Sequence, residues 1–213
     1  KRIENSTNRK VAIMANILQL AIQNNLKTNS KKLLKSDKHF TKNKKNDTKL
    51  IDAHFFFVDI VGLSNHKLSS AEEQITKINQ LTKVIKLSKV FKTTNKEEML
   101  ILPTGDGMVI GFKNDIESPL KLALELHEKL KAYNRNKRKT SKIEIRIGIH
   151  SDPVLKFVDI KDQENFWGEG VITSRRIMDL GNTNHILLSD EIARNLKQLS
   201  KYRKILHSIG NTE

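Results

Sequence analysis

The chain of 213 residues contains no cysteine, three prolines and one tryptophan. Without cysteine it can form neither a disulfide nor a thiolate metal site, and nothing favours an oxidising compartment. No apolar run approaches the roughly 20 residues of a membrane-spanning helix. The best candidate, VAIMANILQLAI at 11–22, is short and lacks a signal-peptide cleavage pattern. We therefore expect a globular protein with no membrane span and a cytoplasmic location. Its first residue, Lys1, is consistent with a piece of a longer protein.

Positive charge is concentrated at the start of the chain. Residues 1–50 hold 13 Lys and Arg against 3 Asp and Glu, whereas residues 51–213 hold 26 against 21. Such a segment could contact nucleic acid or an acidic membrane, but 27–49 has no base-reading motif and no aromatic residue apart from Phe40. We interpret residues 1–50 as a helix over 8–26 followed by a solvated basic linker, and we do not expect nucleic acid as a partner.

From residue 51 onward the hydrophobic pattern alternates between strand and helix periods. It predicts, in order, a strand at 53–62, a helix at 69–91, hairpin strands EMLILP and GMVIGF around TGDG, a helix at 116–134, strands at 142–152 and at PVLKFVDI, a helix at 169–181, a strand at 185–189 and a helix at 190–199. The first six elements have the order of a ferredoxin-like βαββαβ core. This is an α+β fold with a largely antiparallel sheet and its helices on one face.

One aspartate stands inside the apolar run FFFVDIVGLS at 55–64. A buried ionised carboxylate is unfavourable unless something pairs with it, so Asp59 needs an explanation. Asp106 lies at the hairpin tip between Gly105 and Gly107, which by itself is an ordinary turn. Because the first strand and the hairpin are neighbours in such a sheet, the two carboxylates can meet there. They would repel unless a divalent cation bridged them, and oxygen ligands of this kind suit Mg²⁺ or Mn²⁺.

The segment VGLS after Asp59 adds a glycine-containing turn before a predicted helix. Backbone N–H groups at such a turn can hold phosphate oxygens. Two acids, an amide-rich turn and a positive field together suit a nucleoside triphosphate as substrate.

The motifs around Asp59 and Asp106 are followed in the chain by two more, IRIGIHSDPV and FWGEGVITSRRIMDLGNTNHILLS. Over about residues 53–209 the chain resembles the class III adenylate/guanylate cyclase catalytic domain in motif order and approximate spacing. The resemblance implies a nucleotidyl cyclase, in which the ribose 3′-hydroxyl attacks the α-phosphate and pyrophosphate leaves. It also implies two Mg²⁺ or Mn²⁺ ions and a homodimer whose active sites lie between the subunits.

The resemblance assigns roles to individual positions. The implied metal ligands are Asp59, Asp106 and the backbone of Ile60. The implied substrate-binding positions are Gly62, Leu63, Ser64, Gly105 and Arg146. The arginine implied to stabilise the transition state is Arg176. For two of these residues the sequence also allows a role without function. Arg146 can be a surface charge on a strand, and Arg176, which stands beside Arg175, can be an ordinary arginine on a helix surface.

Several positions depart from the family pattern. Leu102 stands where a family lysine reads the purine base, and Asn165 stands where an aspartate does so. Ile172 replaces the transition-state asparagine and cannot donate a hydrogen bond. The chain ends at Glu213, before the last family strands and their phosphate-binding lysine. Trp167 stands two residues after Asn165. We interpret it as a buried residue of the core rather than as a surface on which a base stacks.

Three functional hypotheses follow. The retained Asp59, Asp106 and Arg176 favour an active cyclase with an unusual base preference. Ile172 favours instead a catalytically weak or silent cyclase-like domain that acts as a nucleotide-binding or dimeric regulatory module. A nucleic-acid-binding protein with a cyclase-like core rests only on the basic segment.

Overall fold

The computed structural model describes residues 50–63, 70–158 and 164–210. The predicted N-terminal helix and the basic linker lie outside the described residues, so the domain boundary near residue 50 stays a prediction. Within the described part of the chain, no helix combines the length and apolar character required to cross a bilayer. A cytoplasmic location likewise stays a prediction.

A six-stranded sheet forms the centre of the structure. Its strands are β1 (Leu50–Ile60), β2 (Met99–Pro103), β3 (Gly107–Lys113), β4 (Ile145–Val158), β5 (Glu164–Trp167) and β6 (Ile186–Leu188). The order across the sheet is β2-β3-β1-β4-β5, and β6 adds to β4. Only the β4–β6 pairing is parallel among these strands. The expected α+β class with a largely antiparallel sheet is therefore confirmed.

The helices of the described residues lie between these strands or follow the last of them. They are α1 (Ala71–Lys86), α2 (Lys89–Thr93), α3 (Ser118–Asn134), α4 (Glu169–Asp179), α5 (Asp190–Lys197) and α6 (Ser200–Arg203). The hairpin at TGDG, the helix α3 and the three C-terminal elements α4, β6 and α5 agree with the predicted elements to within two residues at each end.

Several elements differ from the sequence-based prediction, among them α6, which was not predicted. The helix expected over 69–91 breaks at Ser88, whose hydroxyl accepts a hydrogen bond from the N–H of Phe91 at 3.1 Å and so starts α2 as an N-cap. The two strands expected around Pro153 form one continuous strand, β4. The strand β5 was not expected, and it pairs with the far end of β4.

Alternate residues of β1 enter two separate cores, one on each face of the sheet. Phe56, Val58 and Ile60 pack in the core that includes α1 and α3. Phe55 and Phe57 face the opposite way, into a smaller core with residues of α4. The period of two along a strand produces this division. Asp59 follows the second set, so its side chain points to the α4 face.

The two helices of the predicted βαββαβ core, α1 and α3, share one face of the sheet, as expected. The later helix α4 covers the other face. Gly148 of β4 permits this packing. A Cβ built on Gly148 would lie 2.2 Å from the carbonyl oxygen of Ser174 and 2.5 Å from the backbone nitrogen of Met178. Only a residue without a side chain lets α4 approach the sheet so closely.

The α4 face of the sheet is concave. The ammonium group of Lys113 on β3 lies 5.0 Å from the ring centroid of Phe166 on β5, although two strands separate β3 from β5 in the sheet order. This curl brings β3 and β5 towards each other on the face that carries Asp59.

Candidate active site

Asp59 lies near the end of β1, where it is flanked by both neighbouring strands. The register places it opposite Gly107 of β3 and opposite Arg146 of β4. The residue is buried, with 9% of its surface exposed. The strand pairing predicted from the sequence has therefore placed this carboxylate beside the hairpin tip.

Asp106 meets Asp59 at this point. The backbone oxygen of Asp106 accepts a hydrogen bond from the N–H of Ile60 at 3.4 Å. The two carboxyl groups are themselves within hydrogen-bonding contact. Burial raises the pKa of Asp59 to about 6, and the charge of Asp106 and its hydrogen bond act in the same direction. Two acids crowded in this way favour a cation between them.

Arg146 partly offsets this crowding. Its Nε and Nη2 atoms donate to Oδ2 of Asp59 at 3.3 and 3.2 Å. Its Nη2 atom also lies 3.0 Å from Oδ1 of Asp179, in the last turn of α4. The Arg146 side chain is 28% exposed and joins β1, β4 and α4. It is therefore a member of the acidic site and not a free surface charge.

The turn after β1 carries the next group of predicted residues. Gly62 has φ +72°, in the left-handed region that favours glycine. The N–H of Leu63 donates to the carbonyl oxygen of Ile60 at 3.4 Å, and the N–H of Val61 donates to Glu144 O at 2.8 Å. Leu63 is buried in the core. Some amides of this turn thus already have protein partners.

Gly105 and Ser64 are two further positions predicted to bind substrate. Gly105, before the hairpin tip, has φ +96°, which the tight turn requires. Ser64 lies outside the described residues. Its contact with phosphate stays a prediction, as do those of Gly62, Leu63 and Gly105.

The exposed side of α4 carries Arg176 and Ile172. The buried residues of this helix are Gly170, Val171, Ser174 and Met178. Arg176 is exposed, and Ile172, one helical turn earlier, is 40% exposed. Residues four apart lie on one face of a helix. The two positions therefore share a surface that points away from their own sheet.

The two predicted base-reading positions are only partly buried. Leu102 of β2 packs against the core on the α4 face. Asn165 of β5 uses its own Oδ1 to accept the N–H of Phe166 at 2.8 Å, and Phe166 belongs to that same core. Trp167 is 59% exposed, so its interpretation as a buried residue of the core is wrong. The last residue of a short edge strand has too few neighbours to cover an indole ring.

The sequence predicts no functional role for Asp179. Asp179 follows Arg175 by four residues, and this spacing predicts an ordinary ion pair on the helix surface. That pair is present, with Arg175 Nε 3.8 Å from Asp179 Oδ2. The shorter contact to Arg146 comes from a strand 33 positions earlier in the chain, and helix periodicity carries no information about it.

The donor set at Asp59 and Asp106 fits a hard divalent cation. It consists of two carboxylates, and oxygen ligands of this kind suit Mg²⁺ or Mn²⁺. The backbone oxygen of Ile60, which accepts the N–H of Leu63, stays a predicted ligand. Among the described residues, no group of three or more His, Asp and Glu side chains could hold a metal by itself. Water and substrate oxygens would have to complete such a coordination shell.

Most of the chain matches one protein family. Residues 46–208 match the model of the adenylate and guanylate cyclase catalytic domain. No curated protein matches the chain.

Solved structures of cyclase domains share the fold. The monomeric guanylyl cyclase domain of the RhoGC fusion protein from the aquatic fungus Blastocladiella emersonii is 22% identical; the match covers 71% of this chain and 88% of that one, with a TM-score of 0.57. The guanylate cyclase domain of RhGC from Catenaria anguillulae in complex with GTP is 21% identical over 69% and 82% of the two chains, with a TM-score of 0.55.

A bacterial structure agrees. The adenylate/guanylate cyclase/hydrolase from Silicibacter pomeroyi is 18% identical over 71% of this chain and 83% of that one, with a TM-score of 0.55. At these identities the structures establish the fold, and the family match covers well over half of the sequence. The chain belongs to the adenylate and guanylate cyclase catalytic domain family.

Proposed function

We propose that this chain is a nucleotidyl cyclase, which converts a nucleoside triphosphate into a 3′,5′-cyclic nucleotide and pyrophosphate. The contact between Asp59 and Asp106 carries the proposal. These acids are distant in sequence, and the fold brings them together at a strand end. A protein without use for a cation would gain nothing from two carboxylates crowded beside a buried strand.

The residues around this pair supply the remaining parts. Asp59, Asp106 and the Ile60 carbonyl would hold the metal ions. Bound Mg²⁺ or Mn²⁺ lowers the pKa of the attacking hydroxyl and neutralises charge on the phosphates. Arg146 stands beside the acids, where its guanidinium can bind phosphate oxygens. The turn at Gly62, whose backbone is left-handed, follows these acids directly in the chain and is the predicted phosphate-binding turn.

The complete site requires a second copy of the chain. Arg176 is exposed on the outer side of α4, while Asp179 of the same helix contacts Arg146, the ion-pair partner of Asp59. In a homodimer, Arg176 of one subunit would stabilise charge on the phosphorus in the site of the other. Two equivalent sites then form.

The base preference is unusual under this proposal. Leu102 and Asn165 carry no charge, so they cannot read adenine with the lysine and aspartate of family adenylate cyclases. Leu102 offers an apolar surface, and Asn165 offers an amide whose oxygen already accepts a backbone hydrogen bond. GTP and the pyrimidine triphosphates are therefore the substrates to test first.

A second candidate is a catalytically weak or silent cyclase-like domain that binds nucleotide and acts as a dimeric regulatory module. The observation that favours it is Ile172, an exposed apolar residue at the position of the transition-state asparagine. Loss of one such donor lowers kcat by about 100- to 1,000-fold, which would leave binding in place and little turnover.

The two candidates are separated by product formation. The full chain is incubated with Mn²⁺ and each of the four ribonucleoside triphosphates, and cyclic product is measured by mass spectrometry. The proposal predicts product with wild type, none with Asp59→Ala, and wild-type amounts with Asp52→Ala, an exposed acid of the same strand. Failure of every triphosphate to give product, with metal-dependent nucleotide binding intact, would establish the second candidate instead.

A further inference from the structure

Arg146 has two carboxylate partners on two different elements. Its Nη2 atom lies 3.2 Å from Asp59 Oδ2 on β1 and 3.0 Å from Asp179 Oδ1 on α4. Its Nε atom donates to the same Oδ2 of Asp59 at 3.3 Å. One guanidinium is thus shared between Asp59, a predicted metal ligand, and Asp179, which is not among the predicted ligands.

The position of Asp179 is unfavourable for its own helix. It is the final residue of α4, where the partial negative charge of the helix end repels a carboxylate. Its contact to Arg175 on the same helix is long, at 3.8 Å. The short contact to Arg146 is therefore the interaction that offsets the unfavourable placement.

The contact with Arg146 affects how well Asp59 can bind a cation. Oδ2 of Asp59 accepts two N–H groups of Arg146, and a carboxylate that is engaged by a guanidinium is a poorer ligand for a cation. Asp59 can bind a cation fully only when Arg146 releases this oxygen. Release leaves a half-buried guanidinium without that partner, which is unfavourable unless another acid holds it.

We propose that Asp179 is a positioning residue for Arg146. It retains the guanidinium when Asp59 takes up a divalent cation, and so makes Asp59 available as a ligand. It also keeps Arg146 at the edge of the acidic pair, where the phosphates of a substrate would lie. This inference rests on the proposed function, because it takes Asp59 and Asp106 as the cation ligands.

The test measures Mn²⁺ binding to the full chain by electron paramagnetic resonance, without nucleotide and without turnover. In Asp179→Asn, Arg146 has Asp59 as its remaining acidic partner, and the Kd for Mn²⁺ should rise about fivefold, the size expected for a partly exposed ion pair. Asp190→Asn is the matched control. Asp190 is also a helical acid paired with an arginine, Arg194 at 2.9 Å, and this variant should bind within about twofold of wild type.

A double-mutant cycle separates positioning from a simple effect of charge. In the Arg146→Met background, Asp179→Asn should leave the Kd for Mn²⁺ unchanged, because the side chain that Asp179 holds is gone. Asp179→Glu keeps the carboxylate and should bind Mn²⁺ far closer to wild type than Asp179→Asn does. Thermal unfolding of each variant monitors the fold, which should hold because Asp179 is 46% exposed.

Each outcome decides the matter. A fivefold weakening that disappears in the Arg146→Met background supports the inference. A weakening that persists there would show that Asp179 acts through its charge alone, and the absence of any weakening in Asp179→Asn would also overturn the inference. Failure of the proposed function looks different: wild type and Asp59→Asn would then bind Mn²⁺ equally, whatever residue occupies position 179.

Discussion

Asp59 of β1 lies directly opposite Gly107 of β3, in a register that leaves no room for a side chain on the glycine. A Cβ on Gly107 would stand 2.0 Å from the carbonyl oxygen of Val58 and 3.0 Å from the Cα of Asp59. The glycine therefore sets how closely the hairpin tip approaches the end of β1. Asp106, the residue just before it, reaches Asp59 because of this approach.

Substitution Gly107→Ala should consequently damage both the fold and the metal site. The added methyl group pushes β3 away from β1, so the free energy of unfolding should fall by about 1–3 kcal/mol, and the Kd for Mn²⁺ should rise because the acids separate. Urea denaturation and Mn²⁺ titration measure the two effects. Thr104→Ala, exposed on the same hairpin, should change neither. Wild-type Mn²⁺ affinity in Gly107→Ala would contradict the role given to this register.

Glu117, just before α3, links that helix to Lys201 and Tyr202 of α6. Glu117 accepts a hydrogen bond from the hydroxyl of Tyr202 at 2.7 Å, contacts the ammonium of Lys201, and lies 3.3 Å from that of Lys121. The hydrogen bonds from Lys201 and Tyr202 lower the pKa of Glu117 to about 2 from its ordinary 4.5. A lowered pKa stabilises the fold above the unfolded-state value, and this stabilisation is lost as the pH falls towards 2.

Glu117→Gln should therefore destabilise the protein at neutral pH by about 1 kcal/mol. The difference from wild type should shrink as the pH falls from about 4.5 towards 2, because wild type then gains the proton that weakens its own contacts. Chemical denaturation at several pH values measures this. Glu128→Gln, at an exposed position of α3, serves as control. A difference that stays constant down to pH 3 would contradict this account.

Much of the fold could be predicted because the sequence patterns are local. The apolar run of β1 and the Asp-Gly turn between β2 and β3 identify their elements directly. The break at Ser88 was missed because the apolar stripe continues through it and serine is tolerated in a helix. The placement of α4 could not be predicted for another reason: an amphipathic helix shows which of its sides is buried, but not which face of the sheet buries it.

Part of the candidate site could likewise be predicted from the sequence, and part could not. The meeting of Asp59 and Asp106 could be predicted, since strand order alone puts a strand end beside a hairpin tip. The link from Arg146 to Asp179 could not, because it depends on how far α4 runs over the concave face. The exposure of Trp167 was missed because burial of an aromatic residue is only a tendency, and edge strands are exceptions to it.

Ile172 allows a gain-of-function prediction. If this position lies at the transition state, Ile172→Asn restores a hydrogen-bond donor and should raise kcat by about tenfold or more for the preferred triphosphate. The substitution should leave stability nearly unchanged, because Ile172 is 40% exposed. Ile172→Ala removes the apolar side chain without adding a donor and should give no comparable rise. Equal kcat values for the Asn and Ala variants would show that position 172 does not act as a donor in the reaction.

The shared site of the proposed dimer can be tested by complementation. Asp59→Ala and Arg176→Ala should each be inactive alone. Mixed in equal amounts, they should recover about a quarter of wild-type activity, because half of the dimers are mixed and each mixed dimer holds one intact site of two. The product assay measures this after subunit exchange. Recovery should be absent in a mixture of Asp59→Ala and Asp106→Ala, which damage the same half of the site, and an Arg176→Ala variant with full activity would remove the basis for a shared site.

The most direct test of the metal site is anomalous diffraction from crystals of the full chain grown with Mn²⁺ and inorganic triphosphate, a probe that needs no knowledge of the base. The account predicts manganese peaks between the carboxylates of Asp59 and Asp106, with the Ile60 carbonyl as a further ligand and Arg146 withdrawn from Asp59. Crystals that bind manganese only elsewhere, with the contact between Arg146 and Asp59 intact, would contradict it.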